Sequence, residues 1–368
     1  MSCERTIYGK LLLGSEFDVV EGYICVKDGI ITEIGEESSK TDNIIAPCFV
    51  NSHTHIGDSV YKDPQLGIYD GFRLKHDIDS LVRPPNGLKH KILQDTPYRV
   101  LVDSMKVTVL DMLATGTCAF ADFREGGAVG VMALKEALDG FNIDAVILGR
   151  PNRTEPPIKD ILEEVDRVLR EADGLGMSGT NDLDMEIFQS INEHVKKQKR
   201  LFAIHAGEKN NSDISSALSL YPDILIHLTN AECCDLAIVA DAKIPVVVCP
   251  RSNYTTGAGM APIADMLDND IVVGVGTDNV MLNSVNMFAE MEFLSKIFGL
   301  ADRQVFKMCT LNGASILGLD DIGSIKKGNR ANLMILNGKS SNLSGVREPL
   351  SGIVRRARPD DILSIIHV

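Results

Sequence analysis

His53 and His55 stand two residues apart at the end of the apolar run Ile44-Ile45-Ala46-Pro47-Cys48-Phe49-Val50. In an extended strand residues i and i+2 share a face, so both imidazoles aim the same way and could clamp a transition-metal ion. Taken alone, the pair fits either a metal clamp or two histidines satisfied by hydrogen bonds. The other histidines add to it. His205 ends the run Leu201-Phe202-Ala203-Ile204, and His227 ends Ile224-Leu225-Ile226. Four of the eight histidines in the chain therefore fall at the ends of strand-like runs, whereas core histidines would scatter between both ends of such strands. Asp278 follows Val272-Val273-Gly274-Val275-Gly276-Thr277. Isolated, it would read equally well as a helix N-cap. With three histidines sharing its face, metal ligation is the better reading.

Strand ends can converge only if the strands themselves are arranged around a common mouth. The first 48 residues read as short strands at 7–13, 18–26 and 29–35, with Asp28-Gly29 as a hairpin turn. From about Thr96 helices alternate with short apolar strands. Thr96-Pro97 opens a helix that stops before Gly116. Ile158, Ile161, Leu162, Val165, Val168 and Leu169 mark a second, and Ile187, Ile191 and Val195 a third. Strand character recurs at 44–50, 118–120, 145–148, 174–178, 201–204, 224–226, 244–248 and 271–275. Eight strand-and-helix repeats predict an α/β fold of the (β/α)8 TIM-barrel type. After Gly318 the chain returns to β character at 331–336 and 352–355. Residues 1–48 and 319–368 are thus expected to form one small discontinuous β-sandwich, and 49–318 the barrel. Residues 56–96, with Pro64, Pro84 and Pro85, form a long irregular stretch expected to act as a lid over the barrel mouth.

The order His53-x-His55, then His205-Ala206-Gly207-Glu208, then His227, then Gly276-Thr277-Asp278 resembles the amidohydrolase superfamily. It is closest in kind to the mononuclear-metal deaminase branch, which holds adenosine, cytosine and S-adenosylhomocysteine deaminases and their chlorohydrolase relatives. Cys249-Pro250-Arg251-Ser252-Asn253, Asn312-Gly313-Ala314 and the segment 322–333 are similar to that group too, and the resemblance runs from about residue 5 to 356. It implies that His53, His55, His205 and Asp278 hold one divalent ion, with zinc expected first and iron or manganese left open by an N3O ligand set. It implies that Asp278 also takes the proton of the attacking water, and that His227 hydrogen-bonds this water without ligating the ion. Glu208 would protonate a ring nitrogen so that the adjacent carbon accepts hydroxide and expels ammonia. The alternative for Glu208 is a first-turn helix carboxylate facing the positive end of the dipole, and the catalytic role is the better reading. Two-metal members carry a bridging lysine on the fourth strand, and no lysine lies between Arg170 and Val195, which supports one ion, with Asp173 and Asp182 still available as bridging carboxylates.

The chain departs from nucleoside-type relatives at 174–180, where no histidine stands and the substrate contact expected there is missing or replaced. Candidate substrate contacts are Asp58, which fits a ribose or ammonium partner or a turn cap, and Arg251 and Asn253, which fit the barrel mouth or loop hydrogen bonding.

Lysine and arginine total 37 against 51 aspartates and glutamates, a net charge of −14 that disfavours nucleic acid and anionic membrane as partners. The eight cysteines form no C-x-x-C pair and read as free thiols of a cytoplasmic protein. The expected function is a metal-dependent aminohydrolase acting on a small heterocycle, whether a purine nucleoside derivative, a pyrimidine or a pterin-like ring. A cyclic amide hydrolase or chlorohydrolase on the same site is the alternative. A non-catalytic barrel scaffold would have degraded ligand positions, and all five are intact here. A homo-oligomer is left open.

Overall fold

The protein is seen in a computed structural model that describes residues 4–38, 41–64, 67–69, 72–75, 77–152 and 155–368. Cys3 and five positions of the expected lid (65, 66, 70, 71 and 76) lie outside the described residues.

The chain begins as an antiparallel meander of β1 (Arg5–Leu13), β2 (Asp18–Lys27) and β3 (Ile30–Glu36). Asp28 and Gly29 both have positive φ, 49° and 75°, the geometry a two-residue turn needs to match the twist of its strands. The apolar run that follows does not form one strand. Its first half is β4 (Ile44–Pro47), which lies parallel to β1 in this small sheet, and its second half is β5 (Phe49–His55), which enters the barrel. Pro47 lacks an N–H and ends the first ladder. The next amide, Cys48, still donates to Asn332 O at 3.0 Å, whereas Phe49 donates to Gly116 O at 2.8 Å on the barrel side.

A hairpin of β6 (Gly67–Tyr69) and β7 (Phe72–Leu74) follows in the lid region. The barrel then continues through β8 (Thr117–Arg124), β9 (Asp144–Gly149), β10 (Gly174–Met177), β11 (Leu201–Ala206), β12 (Ile224–His227), β13 (Val246–Val248), β14 (Val273–Val275) and β15 (Asp278–Asn279). The sheet order is β14-β13-β12-β11-β10-β9-β8-β5-β15. β14 and β15 are two halves of one stave broken at Gly276-Thr277. The first half pairs with β13 and the second with β5, so the ring closes with the eight staves that the apolar runs predict. These runs are apolar throughout because both faces of a parallel strand are buried here, one by the barrel interior and one by helices.

The chain ends by returning to the first sheet with β16 (Leu333–Leu336) and β17 (Ile362–Ile366), giving the order β17-β16-β4-β1-β2-β3. Both termini therefore build the small domain, around a core that includes Ile7, Leu11, Ile24, Ile31, Ile45 and Leu333. The strand expected at 352–355 is instead the end of a helix, Pro349–Arg355. Pro349 occupies its first turn, and the buried residues Leu350, Ile353 and Val354 recur at i, i+3 and i+4. An aromatic edge fastens the small domain to the barrel, where Phe17 meets Phe306 at 4.8 Å and 88°.

Closure at the broken stave depends on Gly276. A Cβ there would lie 2.6 Å from both the Cβ and the carbonyl oxygen of His53, far inside contact distance. Gly276→Ala is expected to push β5 aside and destabilise the fold by about 1–3 kcal/mol, read as a lower urea midpoint at unchanged m-value.

Candidate active site

His53 and His55 leave the end of β5, His205 and His227 the ends of β11 and β12, and Asp278 opens β15. All five side chains reach one point at the C-terminal mouth of the barrel. Imidazole centroids are 4.9 Å apart for His53 and His55, 4.9 Å for His53 and His205, and 5.1 Å for His205 and His227. Asp278 Oδ1 lies 3.3 Å from His53 Nε2 and 3.6 Å from His55 Nε2. Two of the rings are oriented from behind. His205 Nδ1 faces the carbonyl of Met177 at 2.7 Å and His55 Nδ1 that of Phe123 at 3.0 Å. A carbonyl only accepts, so both Nδ1 atoms carry the proton and both Nε2 lone pairs point inward.

The backbone is bent to achieve this. His227 and Asp278 hold φ of 76° and 60°, in the left-handed region that side chains other than glycine enter at a cost. Asp278 Oδ2 is pinned by the Ser252 hydroxyl at 2.6 Å, and the Asn253 amide meets His227 Nδ1 at 3.1 Å.

Burial is the first cause of most charge behaviour here. It pushes His53 down, His205 well down and His55 to about 3, leaving neutral rings, the form that ligates a cation. For Asp278 burial acts upward but is outweighed by the imidazole of His53 3.3 Å away, with those of His227 and His55, which hold the carboxyl well below its usual range. Glu208 goes the other way. Burial raises it, with opposition from His227 and reinforcement from Asp278. Its Oε2 stands 3.6 Å from His227 Nε2, and both side chains line the cavity.

The donor set fits a divalent cation. His53 Nδ1 and Nε2 and Asp278 Oδ1 are buried without a hydrogen-bond partner, a costly arrangement that a cation at their meeting point would relieve. The donor atoms of His53, His55 and Asp278 lie within 4.8 Å of one another, as do those of His53, His205 and His227. Cys249 groups equally closely with His227 and Asp278, but burial pushes its thiol well up, away from the thiolate that a metal needs.

The three expected substrate contacts face elsewhere. Asp58 is 1% exposed and accepts the Met281 amide at 2.9 Å beneath the site. The Arg251 guanidinium reaches Asn283 Oδ1 at 3.3 Å and Glu290 Oε1 at 3.6 Å, and Asn253 is spent on His227. None of the three is among the residues lining the cavity. Ile78, Val82, Arg83 and Lys89 from the expected lid do line it, as do Ser178 and Gly179 of the stretch 174–180 and Asn181 and Asp182 just past it. Arg150 and Lys89 went unnoticed in the sequence, as did Glu125 behind His55. Glu125 had a usable signal, an acid just past an apolar strand, the same signal that marks Asp278.

Residues 44–364 match the amidohydrolase family. The chain belongs to this family. Across 96% of its length the amidohydrolase is 32% identical to an uncharacterized protein of Methanocaldococcus jannaschii, 95% of which is covered. It is 24% identical to a 5-methylthioadenosine/S-adenosylhomocysteine deaminase of Thermococcus kodakarensis, over 97% of this chain and 91% of that one. Its fold is like that of an adenosine deaminase from Xanthomonas campestris solved with bound zinc, with TM-score 0.79 and 17% identity over 99% of this chain and 92% of the other. Among the described residues of the amidohydrolase, no helix is long and apolar enough to cross a membrane.

Burial pushes Asp58 up to about 8, partly countered by the charge of Lys89. The native state therefore binds more protons than the unfolded chain between the unfolded carboxyl value and about 8, and stability falls as pH rises through that window. Asp58→Asn is expected to flatten this decline, measured as a smaller loss of Tm from about pH 5 to about pH 9 than in the wild type.

Proposed function

We propose that this amidohydrolase is a metal-dependent aminohydrolase that deaminates a nitrogen heterocycle, a purine nucleoside derivative, pyrimidine or pterin-like ring, with release of ammonia. The observation that carries the reading is Glu208, a carboxyl that burial favours in its protonated form, lining the cavity beside a cluster of cation ligands. A ring nitrogen must be protonated before its neighbouring carbon can be attacked, and a buried carboxylic acid at this place supplies that proton. The likeness to a relative named as a deaminase agrees with it.

In this reading His53, His55, His205 and Asp278 hold one divalent cation, zinc in the first instance, as in the similar adenosine deaminase solved with zinc. Bound there, the cation supplies Lewis acidity, which brings the loss of a proton from water to near neutral pH. The protein's own groups do the rest. Glu208 gives its proton to the ring nitrogen, which makes the adjacent carbon electron-poor. Asp278, whose Oδ1 faces the other cation ligands and whose Oδ2 is held by the Ser252 hydroxyl, also accepts the proton of the attacking water. His227, fixed by Asn253, hydrogen-bonds the oxygen as negative charge develops on it. Return of a proton to the amino group breaks the C–N bond, and ammonia leaves.

A panel of aminopurines, aminopyrimidines and aminopterins assayed for ammonia is expected to yield at least one substrate, with turnover lost on chelation and restored by zinc. Release of chloride or opening of a cyclic amide without ammonia would overturn the proposal. Glu208→Gln is expected to lower kcat by roughly 10²- to 10⁴-fold. Because the protonated form of Glu208 is the active one and its pKa is raised, wild-type kcat/KM should fall as pH rises through that pKa. The same alkaline limb should be absent from the Gln variant.

A further inference from the structure

Lys89 sits near the start of the helix Leu88–Asp95, in the segment between the first two barrel strands, yet its side chain is only 3% exposed. The ammonium turns inward and is held at two points. It lies 2.7 Å from Glu125 Oε1, just past β8, and 3.1 Å from Asn279 Oδ1, on β15. β8 and β15 are the two neighbours of β5, the strand that ends in His55, and Asn279 is in register with His55 itself. The same Glu125 Oε1 lies 2.9 Å from His55 Nδ1. One carboxylate oxygen thus stands at ion-pair distance from both the covering helix and a candidate metal ligand, with no hydrogen bond of its own. The other oxygen, Oε2, is taken by the Arg124 guanidinium at 2.6 Å.

We propose that Lys89 is a positioning residue that couples the seating of segment 78–95 over the barrel mouth to cation binding at His55, through Glu125. The inference rests on the reading of His55 as a metal ligand. With the ammonium in place, Glu125 is clamped between two cations and holds a fixed negative charge 2.9 Å behind His55 Nδ1, which reinforces the Phe123 carbonyl in keeping Nε2 aimed at the centre. When the helix lifts, Glu125 keeps only Arg124 and can turn with it, and His55 loses half of its rear support. Partners of this kind behind a ligating histidine alter metal affinity by roughly 10- to 100-fold when removed. Coupling between binding equilibria is reciprocal, so a cation that is held more tightly by the seated segment must also favour its seating. Lys89 is well suited to this role because, once buried, an ammonium is costly to leave without partners, and the partners it finds lie on both sides of β5.

The test uses the full chain and zinc alone, with no substrate. Zinc affinity is measured by competition with a chromophoric chelator, and hydrogen exchange of 78–95 is followed with and without zinc. Lys89→Met is expected to weaken zinc roughly 10- to 100-fold and to remove the zinc-dependent protection of 78–95, whereas Lys89→Arg should retain most of both. Because the effect runs through Glu125, the double variant Lys89→Met/Glu125→Gln should bind zinc no more weakly than Glu125→Gln alone. Unchanged zinc affinity in a Lys89→Met variant that still unfolds cooperatively would overturn the coupling. Should that variant fail to fold, the wild type decides, since zinc that leaves the exchange of 78–95 unaltered would overturn it equally. A wild-type chain that binds no zinc, iron or manganese would instead overturn the metal reading itself and this inference with it.

Discussion

The structure depends above all on the meeting of His53 Nε2 with Asp278 Oδ1 inside the barrel mouth, two atoms 3.3 Å apart and each buried without a hydrogen-bond partner. Polar atoms in such a place are unfavourable for folding, and the fold offsets them with a surrounding frame. Gly276 lets the broken stave pass against His53, and Ser252 holds the second oxygen of Asp278. The carbonyls of Met177 and Phe123 set the protons of His205 and His55. The left-handed backbone at His227 and Asp278 belongs to the same frame. Each element stores a little strain or spends a hydrogen bond so that the donors converge.

The staves were legible in the sequence because a parallel strand buried on both faces is a short apolar run, and the convergence of His53, His55, His205, His227 and Asp278 was legible because they end such runs. That logic is local and needs only neighbouring residues. It could not reveal that 44–50 serves two sheets, since an apolar run carries no mark of which partner its amides will find. Pro47 was the one hint. The run at 352–355 misled for a related reason. Four residues are too few to separate period 2 from period 3.6, and the preceding Pro349 was the better guide.

Past a strand end the direction of a side chain is set by tertiary neighbours, and there the sequence was mute. Asp58, Arg251 and Asn253 have suitable types and positions for substrate contact, yet each is drawn away, toward Met281, Glu290 and His227 respectively. Conversely, Lys89 lies in a stretch with no periodicity, and nothing in its surroundings announces that it will meet Asn279, 190 residues further on. Long-range ion pairs between loops have no sequence rhythm, which is why the frame around the ligands was harder to read than the ligands.

The passage from β4 to β5 through the single residue Cys48 bears on the order in which the chain can be completed. β4 takes β1 on one edge and β16 on the other, so one edge of the strand immediately before the one that carries His53 and His55 stays open until residues 333–336 exist. Synthesis from the N-terminus exposes β4 and β5 first and supplies their last neighbour almost at the end. Nearly the whole polypeptide must therefore emerge before this root is secured on both edges, and a chain cut short of β16 would carry His53 and His55 on a strand whose root is paired on one edge only.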